Sequence, residues 1–327
     1  MADVFDIVLL LALPASGKSE VRKYLASLEP EVLKNDLHIG ENLQLDDFPY
    51  VHLMRRIDDE LESLSNERIF FRSPEKPFND PRNWGTLIHL MNEDYENLVN
   101  RRPLSLNNAG ELLLQRLDRA AEKVGIENRL GDITPGVRKK IVDGIDKEAR
   151  ELFEGLNKQY PESFAGKTLV IEFARGGAQG SEMPLKPPFG YRYSISQLSR
   201  DILKKAVVLY IWVTPEESRR KNEARANPRD PGSILHHGVP IEVMLNDYGI
   251  DDIEWLEKNS EVEGTITINS PGEKFHLPLA RFDNRIDKTS FLRDSKDAWP
   301  REKVEAVHKG LKEACDNLFA LRKTVGN

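Results

Sequence analysis

The stretch "IVLLLALPASGKSEVRKYL", residues 7–25, decides how the rest of the chain is read. A continuously apolar run breaks into Pro14, Ala15, Ser16 and Gly17, then Lys18, Ser19 and a helical pattern. Residues 5–12, "FDIVLLLA", have the unbroken hydrophobicity of a strand buried on both faces. Beyond the loop, Val21, Tyr24, Leu25 and Leu28 fall on one side of a helix. Small residues in that position let the backbone curl until several N–H groups converge on one anion. Gly17 permits close approach, and the helix contributes the positive end of its dipole. Lys18 can neutralise β- and γ-phosphates, and the Ser19 hydroxyl can ligate Mg²⁺. Ala12 stands where such a loop usually begins with glycine, so the chain must leave the strand with ordinary dihedrals.

Working outward, "PEVLKND" (30–36) reads as a second, short strand ending at Asn35 and Asp36. "TLVIEF" (168–173) and "AVVLYIWV" (206–213) read as a third and fourth buried strand. Residues 264–282 form a hairpin whose second arm enters the main sheet. Helices are expected over 50–64, near 84–98, through 109–125, from Thr134-Pro135 toward Tyr160, and over 301–322. The loop "FFRSPEKPFNDPRNWG" (70–85) is too rich in Pro, Asn and Asp for a core element. Strands alternating with helices imply an α/β fold in three layers, α/β/α, around a mainly parallel sheet. In such sheets ligands bind beyond the carboxyl ends of the strands.

Composition narrows the function classes. The 327 residues are 39% hydrophobic and 31% charged, with net charge −7 and pI near 5.7, which disfavours a nucleic-acid or membrane-surface binder. The single cysteine, Cys315, excludes an internal disulfide and suits a reducing compartment. The acidic start "MADVFD" is unlike a secretion signal, and the apolar run after it is too short to span a bilayer. A cytoplasmic location is the expectation.

With its strand, loop and helix in order, the run Pro14-Ala15-Ser16-Gly17-Lys18-Ser19 resembles the phosphate loop of the P-loop kinases, the adenylate-kinase-like and nucleoside-kinase-like phosphotransferases. The resemblance covers the strands and their loops, about half of the chain. It implies a nucleotide-binding core over 1–49 and 166–327, with a lid at about 215–260. The helical insertion, 50–165, matches no family pattern and lies where such kinases bind the acceptor. ATP and Mg²⁺ are the implied cofactors, held by Pro14 through Ser19 and Glu20, with Asn284 in "ARFDNRID" beside the adenine. Ser19 and Glu172 are the implied metal ligands.

For catalysis the resemblance adds to Lys18 an acid at the end of the second strand, Asp36, eighteen residues after Lys18. Asp36 could equally cap a turn. Asp46 and Asp47 are read as a solvated pair. Glu172 and Arg175, in "IEFARGG", look like the acid-plus-arginine of the third strand, although Glu172 precedes the arginine by three residues where adenylate kinases have four. A structural ion pair is the alternative. Lid arginines are sought among Arg219, Arg220, Arg225 and Arg229, with Arg225 and Arg229 favoured. His236 and His237 are given a plain loop role, since adjacent histidines point apart. Within the insertion Arg55, Arg56, Arg72, Arg82 and Trp84 are acceptor candidates, Trp84 being favoured as a plug that pins its loop.

The expectation is an ATP- and Mg²⁺-dependent phosphotransferase acting on a small-molecule acceptor. The alternatives are a nucleotide-binding regulatory NTPase whose insertion binds a protein partner and, less favoured, a polynucleotide 5′-hydroxyl kinase. The Asn-Lys-x-Asp run of switch GTPases is not present after a late strand.

Overall fold

Strand β1 (Ile7–Leu11) is buried at all five positions, as its unbroken apolar run requires. The computed structural model describes residues 4–225 and 238–325, with the backbone alone at Arg225. β1 lies inside a six-stranded sheet of order β2-β3-β1-β4-β6-β5. The others are β2 (Glu41–Asp46), β3 (Lys167–Phe173), β4 (Ala206–Trp212), β5 (Thr265–Ser270) and β6 (Glu273–Asp283). Five strands run parallel, and β5 closes the edge as the antiparallel arm of the expected hairpin.

Side chains alternate across the sheet. Val8, Leu10 and Ala12 pack against α1 (Lys18–Ala26), α2 (Pro30–Leu37) and the long C-terminal helix. Ile7, Leu9 and Leu11 face a larger core built with α3 (Phe48–Ser63), α4 (Asn83–Asn100), α5 (Ala109–Glu122) and α6 (Pro135–Lys158). Also on this side are α7 (Gly190–Ser196), α8 (Arg200–Lys205), α10 (Ile241–Asn246) and α11 (Ile253–Lys258). α9 (Pro215–Arg225) follows β4, and α12 (Arg301–Val325) ends the chain. Helices cover both faces, and the insertion shares one continuous core with the sheet. No helix among the described residues is long and apolar enough to cross a membrane.

The second strand is not where the sequence suggested. Residues 30–36 are helical, because Glu29 is extended (φ −66°, ψ 145°) and Pro30 takes the first helical position. β2 is instead "ENLQLD", an edge strand with only Leu43 and Leu45 fully buried. That shift moves the strand-end acids from Asp36 to Asp46 and Asp47.

A buried carboxylate fixes the loop over 66–82. Asp58, fully buried in α3, accepts from the amides of Ile69 (2.7 Å), Phe70 (3.0 Å) and Phe71 (2.7 Å). The loop is thereby held with Phe71 stacked on Phe78 at 4.4 Å and Phe78 edge-on to Trp84 at 4.9 Å. Asp58→Ala leaves those amides without their acceptor and is expected to cost about 2–4 kcal/mol in urea unfolding. An unchanged unfolding midpoint would show that the loop is held by its aromatic contacts alone.

Candidate functional site

The loop after β1 turns through positive φ at Ala15 (57°) and Gly17 (104°), and not at Ala12. Alanine therefore serves at the first position, as the sequence required. At Gly17 a Cβ would meet Thr289 Oγ1 and lie 2.8 Å from Asn284 Nδ2, so only glycine fits.

Four loop carbonyls are occupied by side chains. Tyr191 from α7 donates its hydroxyl to Ala12 O (2.9 Å), and Ser16 donates to Leu13 O (2.5 Å). Ser218 from α9 donates to Pro14 O (2.7 Å), and Asn284 beyond β6 donates to Ser16 O (2.7 Å). In a planar trans peptide the N–H points opposite to the C=O. Carbonyls pulled outward by α9 and the β6 loop thus turn the next amides toward the opposite side. The amides of Ser16, Gly17 and Ser19 meet no acceptor among the described residues. Lys18 is 8% exposed and donates to Ala12 O at 3.2 Å.

This loop forms one wall of a cleft that also takes in Asp46, Asp47 and Glu172. Asp46 and Glu172 are register neighbours across β2 and β3. Arg22, one turn beyond Ser19, reaches Asp46 Oδ2 (3.1 Å) and Glu172 Oε2 (2.8 Å) and also holds Gln44. Burial, with Glu172 and Asp47 nearby, pushes the Asp46 carboxyl up to about 7 against the pull of Arg22. Burial also raises Asp47, opposed by the Arg175 guanidinium at 2.5 Å from its Oδ2.

Arg175 does not line the cleft. It is 1% exposed and spends its donors on Asp47, Ser194 Oγ (3.1 Å), Ala174 O (2.6 Å) and Trp84 O (3.2 Å). It is a strut for Asp47, close to the structural ion pair weighed from the sequence. Asp36 sits in α2 on the other side of the sheet, accepting from or sharing a proton with His308 Nε2 at 3.1 Å. Its surroundings are α1 and α12, away from the cleft. Asn284 is fully buried behind the loop, bonded to Ser16 O and Thr289 Oγ1 (2.8 Å), and does not line the cleft. Glu20 lines it but is bound by Arg293 at 2.7 Å.

Among the lid candidates, Arg219 pairs with Glu216 (3.2 Å) and Arg220 with Glu217 (2.6 Å) along α9. The Arg225 side chain, Arg229, His236 and His237 lie outside the described residues. In the insertion, Arg55 and Trp84 line the cleft. Arg56 is tied to Glu148 and Glu60, Arg82 to Asp80 and Gly125 O, and Arg72 is exposed and outside the lining. Trp84 is both plug and wall: 5% exposed, edge-on to Tyr248 at 5.5 Å, and part of the cleft lining.

Asp247 and Tyr248, in neither case singled out from the sequence, complete the lining. They follow α10 in a polar segment with no motif, and the knitting of Gly177 to Ile250 (2.8 Å, N to O) and of Gln179 to Leu245 (2.8 Å, N to O) brings them here. Burial pushes the Asp247 carboxyl up to about 7, against Arg55 and Arg72. Between about pH 4 and 7 the folded chain thus holds a proton that the unfolded chain releases, and stability falls as pH rises through that window. Asp247→Asn is expected to raise the melting temperature at pH 8, by about 1–3 kcal/mol in stability, with the gain shrinking as pH falls toward 4. A gain that grows on acidification would contradict this origin of the cost.

Among the described residues no group of three or more His, Cys, Asp and Glu is arranged to hold a metal ion. Mg²⁺ needs no such cage, since it keeps several waters and takes one or two protein oxygens beside phosphate. Ser19, Asp46 and Glu172, all lining the cleft, are oxygen donors of that kind.

No protein-family model matches the chain, and neither the curated proteins nor the solved structures gave a match to it.

Proposed function

We propose that the chain is a kinase-type P-loop phosphotransferase that uses ATP and Mg²⁺ on a small hydroxylated acceptor. The observation that carries this reading is the loop whose carbonyls are held outward by Tyr191, Ser218 and Asn284, leaving amides and Lys18 beside a carboxylate-lined cleft. Converging amides, an ammonium group and a helix N-terminus are what a polyphosphate tail requires.

In this reading the amides of 15–19 and Lys18 grip the β- and γ-phosphates. Bound Mg²⁺ would supply positive charge that offsets the charge of the phosphates. Ser19, with Glu172 or Asp46 through water, offers its ligands. Arg22 offsets part of the repulsion between those two carboxylates. Asp47, set by Arg175, orients the acceptor hydroxyl and takes its proton. The hydroxyl oxygen bonds to the γ-phosphorus, the bond from that phosphorus to the β–γ bridging oxygen breaks, and ADP leaves with the electron pair.

Melting the protein with ATP, GTP or ADP in the presence of Mg²⁺ tests the first half. Acceptor-dependent ADP release across a panel of hydroxylated metabolites tests the second. Stabilisation by nucleotide without any acceptor stimulation would favour a nucleotide-switched regulator. No stabilisation at all would remove the phosphate cradle.

A further inference from the structure

Asp247 and Arg55 line the same cleft as the phosphate loop and make no direct ion pair with each other among the described residues. Asp247 is 4% exposed, lines the cleft, and its carboxylate meets no hydrogen-bond donor among the described residues. A buried carboxylate without a partner is costly, and a protein retains one where something else supplies the donors. Arg55 lines the same cleft with its guanidinium over the Phe71 ring at 3.9 Å. Its Nη1 donates to Pro74 O at 2.6 Å, while Nε and Nη2 meet no acceptor among the described residues. Arg55 acts on Asp247 through its charge, yet the two make no direct ion pair. Phe71, Trp84 and Tyr248 wall the space, which lowers the local dielectric and strengthens any pairing made there.

Resting on the phosphotransferase reading, we infer that the acceptor is zwitterionic: a hydroxylated, amino-acid-like compound whose ammonium pairs with Asp247 and whose anionic group pairs with Arg55. A neutral polyol would leave both charges unpaired. A purely anionic acceptor would use Arg55 and bring a second negative charge toward Asp247. Only a molecule carrying both signs satisfies both side chains, and its hydroxyl can then reach Asp47, which lines the same cleft and acts with Asp247 on Tyr248.

The test is calorimetric titration of L-serine, L-threonine and L-homoserine into the full chain saturated with Mg²⁺ and a non-hydrolysable ATP analogue. Glycerol, N-acetyl-L-serine and L-serine methyl ester serve as controls that lack both charges, the ammonium or the carboxylate. At least one hydroxy amino acid is expected to bind about tenfold or more tighter than each control, a modest return for two shielded charge pairs. Asp247→Asn is expected to erase the preference over the N-acetyl compound while leaving most of the preference over the ester. Arg55→Gln is expected to do the reverse. Because Asn keeps the shape of Asp247 and no bond is broken, a melting curve verifies that this variant folds. Equal binding of zwitterion and glycerol, unchanged preferences in both variants, or no binding by any of the three amino acids overturns the inference. Binding of the ATP analogue is recorded separately: its presence without amino-acid binding sinks this inference alone, and its absence sinks the phosphate cradle beneath it.

Discussion

Lys18→Ala is expected to reduce acceptor-dependent ADP release by about 10³-fold or more and to weaken Mg²⁺–ATP binding as well. Lys18 is nearly buried, so its charge acts in a cleft where water screens it poorly. It also stands close enough to Asp47 to draw that carboxyl down. The variant removes the hydrogen bond to Ala12 O, an oxygen that Tyr191 continues to hold. The fold should therefore survive, and circular dichroism beside the kinetic assay separates lost chemistry from lost structure. Turnover within a few-fold of the parent would show that no phosphate is held by this side chain.

Asp47→Asn is expected to cut turnover by about 10²–10⁴-fold while leaving nucleotide affinity within a few-fold. The amide oxygen of asparagine can still accept from Arg175, so the strut on the far side is kept. What disappears is the capacity to take a proton from the attacking hydroxyl. Asp36→Asn is the matched control. The sequence pointed to Asp36, but that residue faces His308 beyond the sheet, and its loss should leave turnover unchanged. Parallel losses of turnover and of ATP affinity in Asp47→Asn would place Asp47 in the nucleotide site and leave the proton without an acceptor.

The contrast between Asp36 and Asp47 shows which parts of this chain can be read from its letters. β1, β3 and β4 are buried on both faces and carry continuous apolar runs, so their positions and the loops after them were legible. β2 lies at the sheet edge with two fully buried residues in six, and a proline-led helix in front of it has the more hydrophobic look. The alternation of Leu43 and Leu45 before a double aspartate was the available signal. The place of 14–19 between β1 and α1 was equally legible, but its props were not: Tyr191, Ser218 and Asn284 come from elements 179, 204 and 268 residues away from the atoms they hold. Side-chain direction is the other missing quantity. Arg175 and Asn284 were rightly placed at strand ends, yet one turns in to hold Asp47 and the other turns behind the loop. Asp247 has no motif at all, and only the folding of 247–250 against the glycines after β3 brings it to the cleft.

The central claim is that the backbone around Gly17 receives a polyphosphate. It is tested most directly by labelling glycine with ¹⁵N and following the Gly17 amide resonance while Mg²⁺–ATP is added. The expected result is a large, saturable downfield displacement of Gly17 that adenosine does not reproduce and Lys18→Ala weakens. An amide at Gly17 that stays in place under saturating nucleotide, while other glycines move or none do, would contradict the claim.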